Sequence, residues 1–174
     1  MKKNIVLIGF MGTGKSSVGS KLAMKLNKEF VDMDREIENI SGMTVTEIFR
    51  RFGELRFRSE ESLMAKKLSL RDNLVIATGG GTVLLPENIE VLRQNGIIIL
   101  LEATAQDIHT RVSRKKGTRP LLKGSYTAED IQHLLDERKP YYDCADIRVN
   151  TSSKDLDAVI EEIINELNQY ETLS

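Results

Sequence analysis

Gly9-Phe10-Met11-Gly12-Thr13-Gly14-Lys15-Ser16 matches the pattern G-x-x-x-x-G-K-[ST]. Ile5-Val6-Leu7-Ile8 before it reads as a buried strand. Val18, Leu22 and Leu26 after it recur at four-residue spacing and read as a helix. This strand, glycine loop and helix are the context in which the pattern has a mechanism. Glycines let successive backbone N–H groups approach phosphate oxygens with no Cβ in the way, and the helix adds its positive N-terminal end. Lys15 is placed to reach the β- and γ-phosphates, and the Ser16 hydroxyl to meet a Mg²⁺ ion. A chain holding this unit is constrained to an α/β fold with the strand buried in a sheet.

The rest of the chain repeats the alternation. Phe30-Val31, Leu74–Ala77, Ile97–Leu101 and Ile147–Val149 read as four further strands. Thr44-x-x-Glu47 is a capping box ahead of a helix that Gly53 ends, and an amphipathic stretch runs from Glu54 to about Leu68. Pro86 opens a helix through Leu92, which Gly96 is expected to stop. Thr104 and Thr127 cap two more helices, and Leu156 to Leu167 carry a final amphipathic one. Near-continuous apolar strands between helices indicate a parallel sheet covered on both faces, a three-layer α/β/α domain over residues 1–174.

Composition excludes other classes. Lys and Arg total 25 against 26 Asp and Glu, a balance unlike a general nucleic-acid binder. The 40% hydrophobic content argues against disorder. The longest aliphatic run, Ile97 to Leu101, is far short of a membrane span, and no secretory signal is read in the first residues. One cysteine, Cys144, forbids an internal disulfide and fits a reducing cytoplasm. With only His109 and His133 beside it, no zinc site is expected.

Three kinds of phosphate-loop protein fit this length: a switch GTPase, a small-molecule or nucleotide kinase, and a nucleotide-regulated module without turnover. The single Asn-Lys pair, Asn27-Lys28, lacks the Asp of a guanine reader. Asp32-x-Asp34 follows the second strand, where ligands of open α/β sheets lie. If the backbone stays extended, both carboxylates share a face, one to hold Mg²⁺ through water and one to orient or deprotonate a hydroxyl. Thr78-Gly79-Gly80-Gly81-Thr82 ends the third strand at the same edge and can offer backbone N–H groups to a ligand. The late segment Arg114 to Ser125 has two glycines, few apolar residues and a run of basic ones, so a mobile lid that closes on ATP is expected there.

With these blocks go Gly53-Glu54-x-x-Phe57-Arg58-x-x-Glu61, Arg119-Pro120-Leu121-Leu122 and Arg138-x-Pro140-x-Tyr142-x-x-Ala145-Asp146. Together they cover nearly the whole chain, and the chain resembles the shikimate kinase family. The resemblance implies a P-loop fold like that of nucleoside monophosphate kinases, with five parallel strands in the order 2-3-1-4-5. It implies transfer of the γ-phosphoryl of ATP to the 3-hydroxyl of shikimate, in the route to chorismate and aromatic amino acids. Gly12, Thr13, Gly14, Lys15, Ser16, Ser17, Arg111 and Arg119 are then the ATP candidates, Arg111 against the adenine and Arg119 on the phosphates. Lys15, Asp34 and Arg119 are the catalytic candidates. Asp34, Arg58, Gly79, Gly80, Gly81 and Arg138 are the shikimate candidates, with the substrate region at about 32–62. Ser16 would ligate Mg²⁺, with Asp32 in its outer shell.

The chemistry suits the implied substrate, which carries one carboxylate and three hydroxyls. Guanidinium groups bind carboxylates bidentately, and a carboxylate such as Asp34 accepts from hydroxyls. A gluconate kinase would share the phosphate loop and size; the combination of Asp32-x-Asp34, Arg58, the triple glycine and Arg138 separates the two. The loop Asn150-Thr151-Ser152-Ser153 is one the family uses near adenine. A monomer is expected, with ATP and shikimate as its partners.

Overall fold

The computed structural model describes residues 3–114 and 126–173. Its strands are β1 (Asn4–Ile8), β2 (Glu29–Asp32), β3 (Leu74–Ala77), β4 (Gly96–Glu102) and β5 (Ile147–Asn150). Its helices are α1 (Lys15–Leu26), α2 (Met33–Ser41), α3 (Val45–Phe52), α4 (Glu54–Ser69), α5 (Pro86–Arg93), α6 (Ala105–Ser113), α7 (Ala128–Arg138) and α8 (Leu156–Leu173). Thr82–Leu84 and Lys139–Cys144 form 3-10 helices.

The five strands make one sheet in the order β2-β3-β1-β4-β5, as the resemblance implied. All pairings are parallel, with Ile5 opposite Val75 on one side of β1 and Ile97 on the other. β1 is central and buried at every position. Alternation along it feeds two cores: Ile5 and Leu7 pack with α1 and α8, Val6 and Ile8 with α2, α4 and α5. Each fully buried Leu or Ile contributes about 1.5–3 kcal/mol, so these faces dominate the stability of the sheet. Because every strand runs the same way, the residues just after β1, β2, β3 and β5 meet along one edge. That edge is the carboxyl side, where open parallel sheets bind ligands.

Three expectations are corrected. Gly96 does not stop α5, which ends at Arg93; it opens β4 beside Asn4. A Cβ at Gly96 would sit 2.8 Å from Leu92 O and 2.8 Å from Val6 Cγ2, so close helix–strand packing is what calls for glycine. Backbone beyond Asp32 is not extended: α2 starts at Met33, and Asp34 is helical. The reason is local, because the Asp32 carboxylate accepts from the N–H groups of Asp34 and Arg35 and caps that helix. The third correction is of extent: β2 and β4 each run beyond the apolar residues that marked them. The capping boxes at Thr44 and Thr127 are both formed. Of the lid expected at 114–125, Arg114 ends α6 and is exposed, while residues 115–125, Arg119 among them, lie outside the described residues.

Candidate active site

A cleft of about 810 Å³ opens at the carboxyl edge of the sheet. Gly12, Thr13, Gly14, Lys15, Ser16, Ser17, Asp32, Asp34, Arg58, Gly79, Gly80, Gly81 and Arg111 all line it. Arg138 is placed beside that lining, with Nη1 donating to Gly80 O at 3.0 Å and its guanidinium 5.1 Å over the Phe10 ring.

The phosphate loop turns between β1 and α1. Gly14 has φ +100° at the N-cap of α1 and Gly12 has φ +79°, conformations that suit glycine. Lys15 folds back over the loop, its Nζ donating to Gly9 O at 2.7 Å and Phe10 O at 2.9 Å. The Ser16 hydroxyl donates to Asp32 Oδ2 at 2.7 Å. Thus the end of β2 and the first turn of α1 meet through two hard oxygen donors. Among the described residues no group of three or more His, Cys, Asp or Glu could hold a metal by itself. A hydroxyl and a carboxylate are hard oxygen groups that fit a divalent cation shared with phosphate oxygens and water.

Asp34 is the second residue of α2, in its first turn, and its Oδ1 is buried without a hydrogen-bond partner among the described residues. Burial raises its pKa from the usual 3.8 to about 6, reinforced by the charges of Glu61 and Asp32 and opposed by Lys15. An acceptor left unpaired in a cleft is a costly arrangement unless something with a donor comes to it.

Glu61 closes the Arg58 motif, but the sequence assigned it no role of its own. It lies three residues after Arg58 on α4, on the same face, and is 0% exposed. Its Oε1 accepts from Arg58 Nη1 at 2.5 Å and its Oε2 from Thr82 Oγ1 at 2.6 Å. Glu54 Oε1 accepts from Arg58 Nε and Nη2 at 3.3 and 3.1 Å. Burial draws the Arg58 pKa down, but the Glu61 and Glu54 carboxylates more than offset it, and it lies above its ordinary value. A buried pair of this kind is weak evidence for stability, since desolvation consumes much of the attraction. What it does is hold a guanidinium still at the cleft wall. The i, i+3 spacing of opposite charges was the available signal.

Two of the three glycines after β3, Gly79 and Gly81, are explained by space. A Cβ at Gly79 would come within 2.7 Å of Glu61 Oε2 and 2.8 Å of Asp34 Oδ1, and one at Gly81 within 2.5 Å of Arg58 Nη1. Asp34 and Glu61 therefore face each other across Gly79, and Arg58 lies over Gly81. At the far end, Arg111 Nη1 donates to Gly12 O at 3.2 Å and to Thr151 Oγ1 at 3.1 Å, and Nη2 to Thr151 O at 3.2 Å. That links the phosphate loop to the segment after β5. Cys144 is half-buried and packs against the apolar core, as expected of a small apolar residue.

Comparison with known proteins identifies the family. The family model described as shikimate kinase matches residues 11–168. A shikimate kinase of Pelotomaculum thermopropionicum is 52% identical over 168 residues, covering 97% of each chain. The solved structure of a shikimate kinase from Acinetobacter baumannii in complex with shikimate is 35% identical with a TM-score of 0.90, over 97% of this chain and 94% of that one. A gluconokinase from Sinorhizobium meliloti has a TM-score of 0.60 at 17% identity, over 99% of this chain and 95% of that one, a likeness of fold alone. With a family match over most of its length and a relative at about half identity, the chain is an ATP-dependent kinase and belongs to the shikimate kinase family.

Proposed function

We propose how this chain's residues divide the work of moving the γ-phosphoryl group of ATP to the 3-hydroxyl of shikimate. The observation that carries the reading is the orphaned Asp34 Oδ1, set in one cleft with Lys15 and a clamped Arg58. The N–H groups of Gly12 to Ser17 hold the polyphosphate, and Lys15 follows the charge on the group in transfer. Ser16 would hold Mg²⁺ directly and Asp32 through water, and the ion would supply charge neutralisation to the phosphates. Asp34 accepts the 3-hydroxyl, orients its oxygen and takes its proton as the new P–O bond forms and the bond to ADP breaks. Arg58 and Arg138 hold the shikimate carboxylate at the other end, with Gly79, Gly80 and Gly81 as the floor between.

Arg111 lies toward the adenine. Arg119, from the lid at about 114–125, supplies charge to the phosphates, and residues of about 32–62 make the substrate-binding region of one domain spanning 1–174. In this reading the enzyme works as a monomer. The lone thiol of Cys144 suits the reducing cytoplasm, where ATP is made. No helix among the described residues is long and apolar enough to cross a membrane.

The test is ADP release with Mg-ATP and, in turn, shikimate, gluconate and nucleoside monophosphates. Shikimate alone is expected to drive turnover, giving shikimate 3-phosphate; a preference for either competitor would overturn the reading.

The arginine roles make a separate expectation. Arg58→Ala or Arg138→Ala weakens shikimate binding by roughly 2–4 kcal/mol, because a desolvated carboxylate loses a charge-assisted pair. ATP affinity changes much less. Calorimetric titration of each ligand decides it: an equal loss for ATP would remove the carboxylate-clamp role.

A further inference from the structure

Thr151 follows β5 and is 4% exposed, and the sequence assigned it no role beyond lying in a loop near adenine. Its Oγ1 lies 3.1 Å from Thr13 O and 2.9 Å from Glu102 O, and it accepts from Arg111 Nη1. A hydroxyl has one proton to donate. Glu102 O already accepts from the Thr151 N–H at 2.8 Å, so Thr13 O is the carbonyl that needs that proton more.

Thr13 O belongs to the peptide that joins Thr13 to Gly14. In a planar trans peptide the C=O and the next N–H point in opposite directions. A partner that holds Thr13 O therefore also aims the Gly14 N–H, away from the loop after β5. Gly14 is the N-cap of α1, where the loop's N–H groups and the helix end would meet a phosphate. Arg111 secures the preceding carbonyl, Gly12 O, in the same way. With φ values of +79° and +100°, Gly12 and Gly14 have wide conformational freedom, so this stretch needs an external constraint to keep one shape.

We propose that Thr151 is a positioning residue for the phosphate loop: its hydroxyl fixes the Thr13–Gly14 peptide so that the Gly14 N–H faces the nucleotide phosphates. The proposal rests on the phosphate-loop reading above and deepens it. It assigns the loop after β5 a task in holding phosphate, apart from any contact with the base.

Thr151→Val keeps the shape and removes the hydroxyl. The KM for Mg-ATP is expected to rise about fivefold, the loss of one neutral hydrogen bond of about 1 kcal/mol at 1.4 kcal/mol per decade. The KM for shikimate stays within about twofold, and Thr151→Ser restores the ATP value. Thr151→Ala is the second variant should valine not fold, with circular dichroism checking each. An unchanged ATP KM in the folded variants overturns the proposal. So does an equal rise for both substrates, or a serine variant as weak as valine. Lys15→Met in the same assay separates the two layers: if it too leaves turnover unchanged, the phosphate-loop reading fails with it. A large Lys15 effect beside silent Thr151 variants removes the proposal alone.

Discussion

Lys15→Met is expected to lower kcat by at least two to three decades, the loss seen when one preorganised electrostatic stabiliser is removed. Methionine keeps the length of the side chain and suits a position only 8% exposed, so the sheet and α1 persist. What disappears is a charge held at the mouth of the loop by Gly9 O and Phe10 O. Those two carbonyls lose a donor, so a modest fall in stability accompanies the kinetic one. The change also reaches Asp34. Lys15 is the one charge identified as drawing the Asp34 pKa down, against burial, Glu61 and Asp32. Removing it moves Asp34 further upward, and the acid limb of the residual activity shifts to higher pH. Steady-state kinetics over a pH series reads both effects. Near-normal turnover, or an acid limb that does not move, contradicts this account of the lysine.

Asp34→Asn is expected to cost two to four decades in kcat while making the ligand-free protein more stable. General acid–base groups contribute about that much to rate. The stability gain follows from the direction of the pKa shift. Folded Asp34 keeps its proton up to about pH 6, against a usual value of 3.8. Between those values the folded state binds more protons than the unfolded state, so stability falls as pH rises through that window. Above it, a shift of about two units corresponds to roughly 3 kcal/mol of penalty for the ionised carboxylate. Asparagine carries no charge to desolvate and none to oppose Glu61. Urea unfolding at pH 8 is expected to show a gain on the order of 1–3 kcal/mol, shrinking towards zero near pH 3. In the parent enzyme, kcat/KM for shikimate is expected to show an acid limb near pH 6 that the variant lacks. A flat profile from pH 5 to 8, or a variant less stable at pH 8, would refute the role. A group whose charge weakens the fold and powers the reaction is the expected trade between stability and activity.

These two residues also show how legible the chain was. Lys15 needed only the spacing of Gly9, Gly14 and Ser16 between an apolar strand and a helical period. Asp34 was found by its place after β2, but on the premise of an extended backbone. The Asp32 cap started α2 there instead, and a cap competes with strand geometry through bonds that spacing does not show. Arg58 was named by its motif; that it is clamped by Glu61 and Glu54 was not, because a charged pair three apart on a helix is usually solvated. Gly96 was misread as a helix stop because glycine serves both caps and close packing, and only the neighbours Leu92 and Val6 decide between them.

By itself the sequence determined the sheet-and-helix alternation, the phosphate loop and the identities of the charged groups. Apolar periodicity and glycine spacing are local signals that need no knowledge of other segments. Tertiary structure alone decided which charges are buried together: Glu61 under Arg58, Asp34 across Gly79 from Glu61, and Thr151 against Thr13. Those residues are from 3 to 138 positions apart, and their pKa shifts and hydrogen bonds depend on desolvation and distance. Both quantities come into being only when β1, β2, β3 and β5 align their carboxyl ends along one edge.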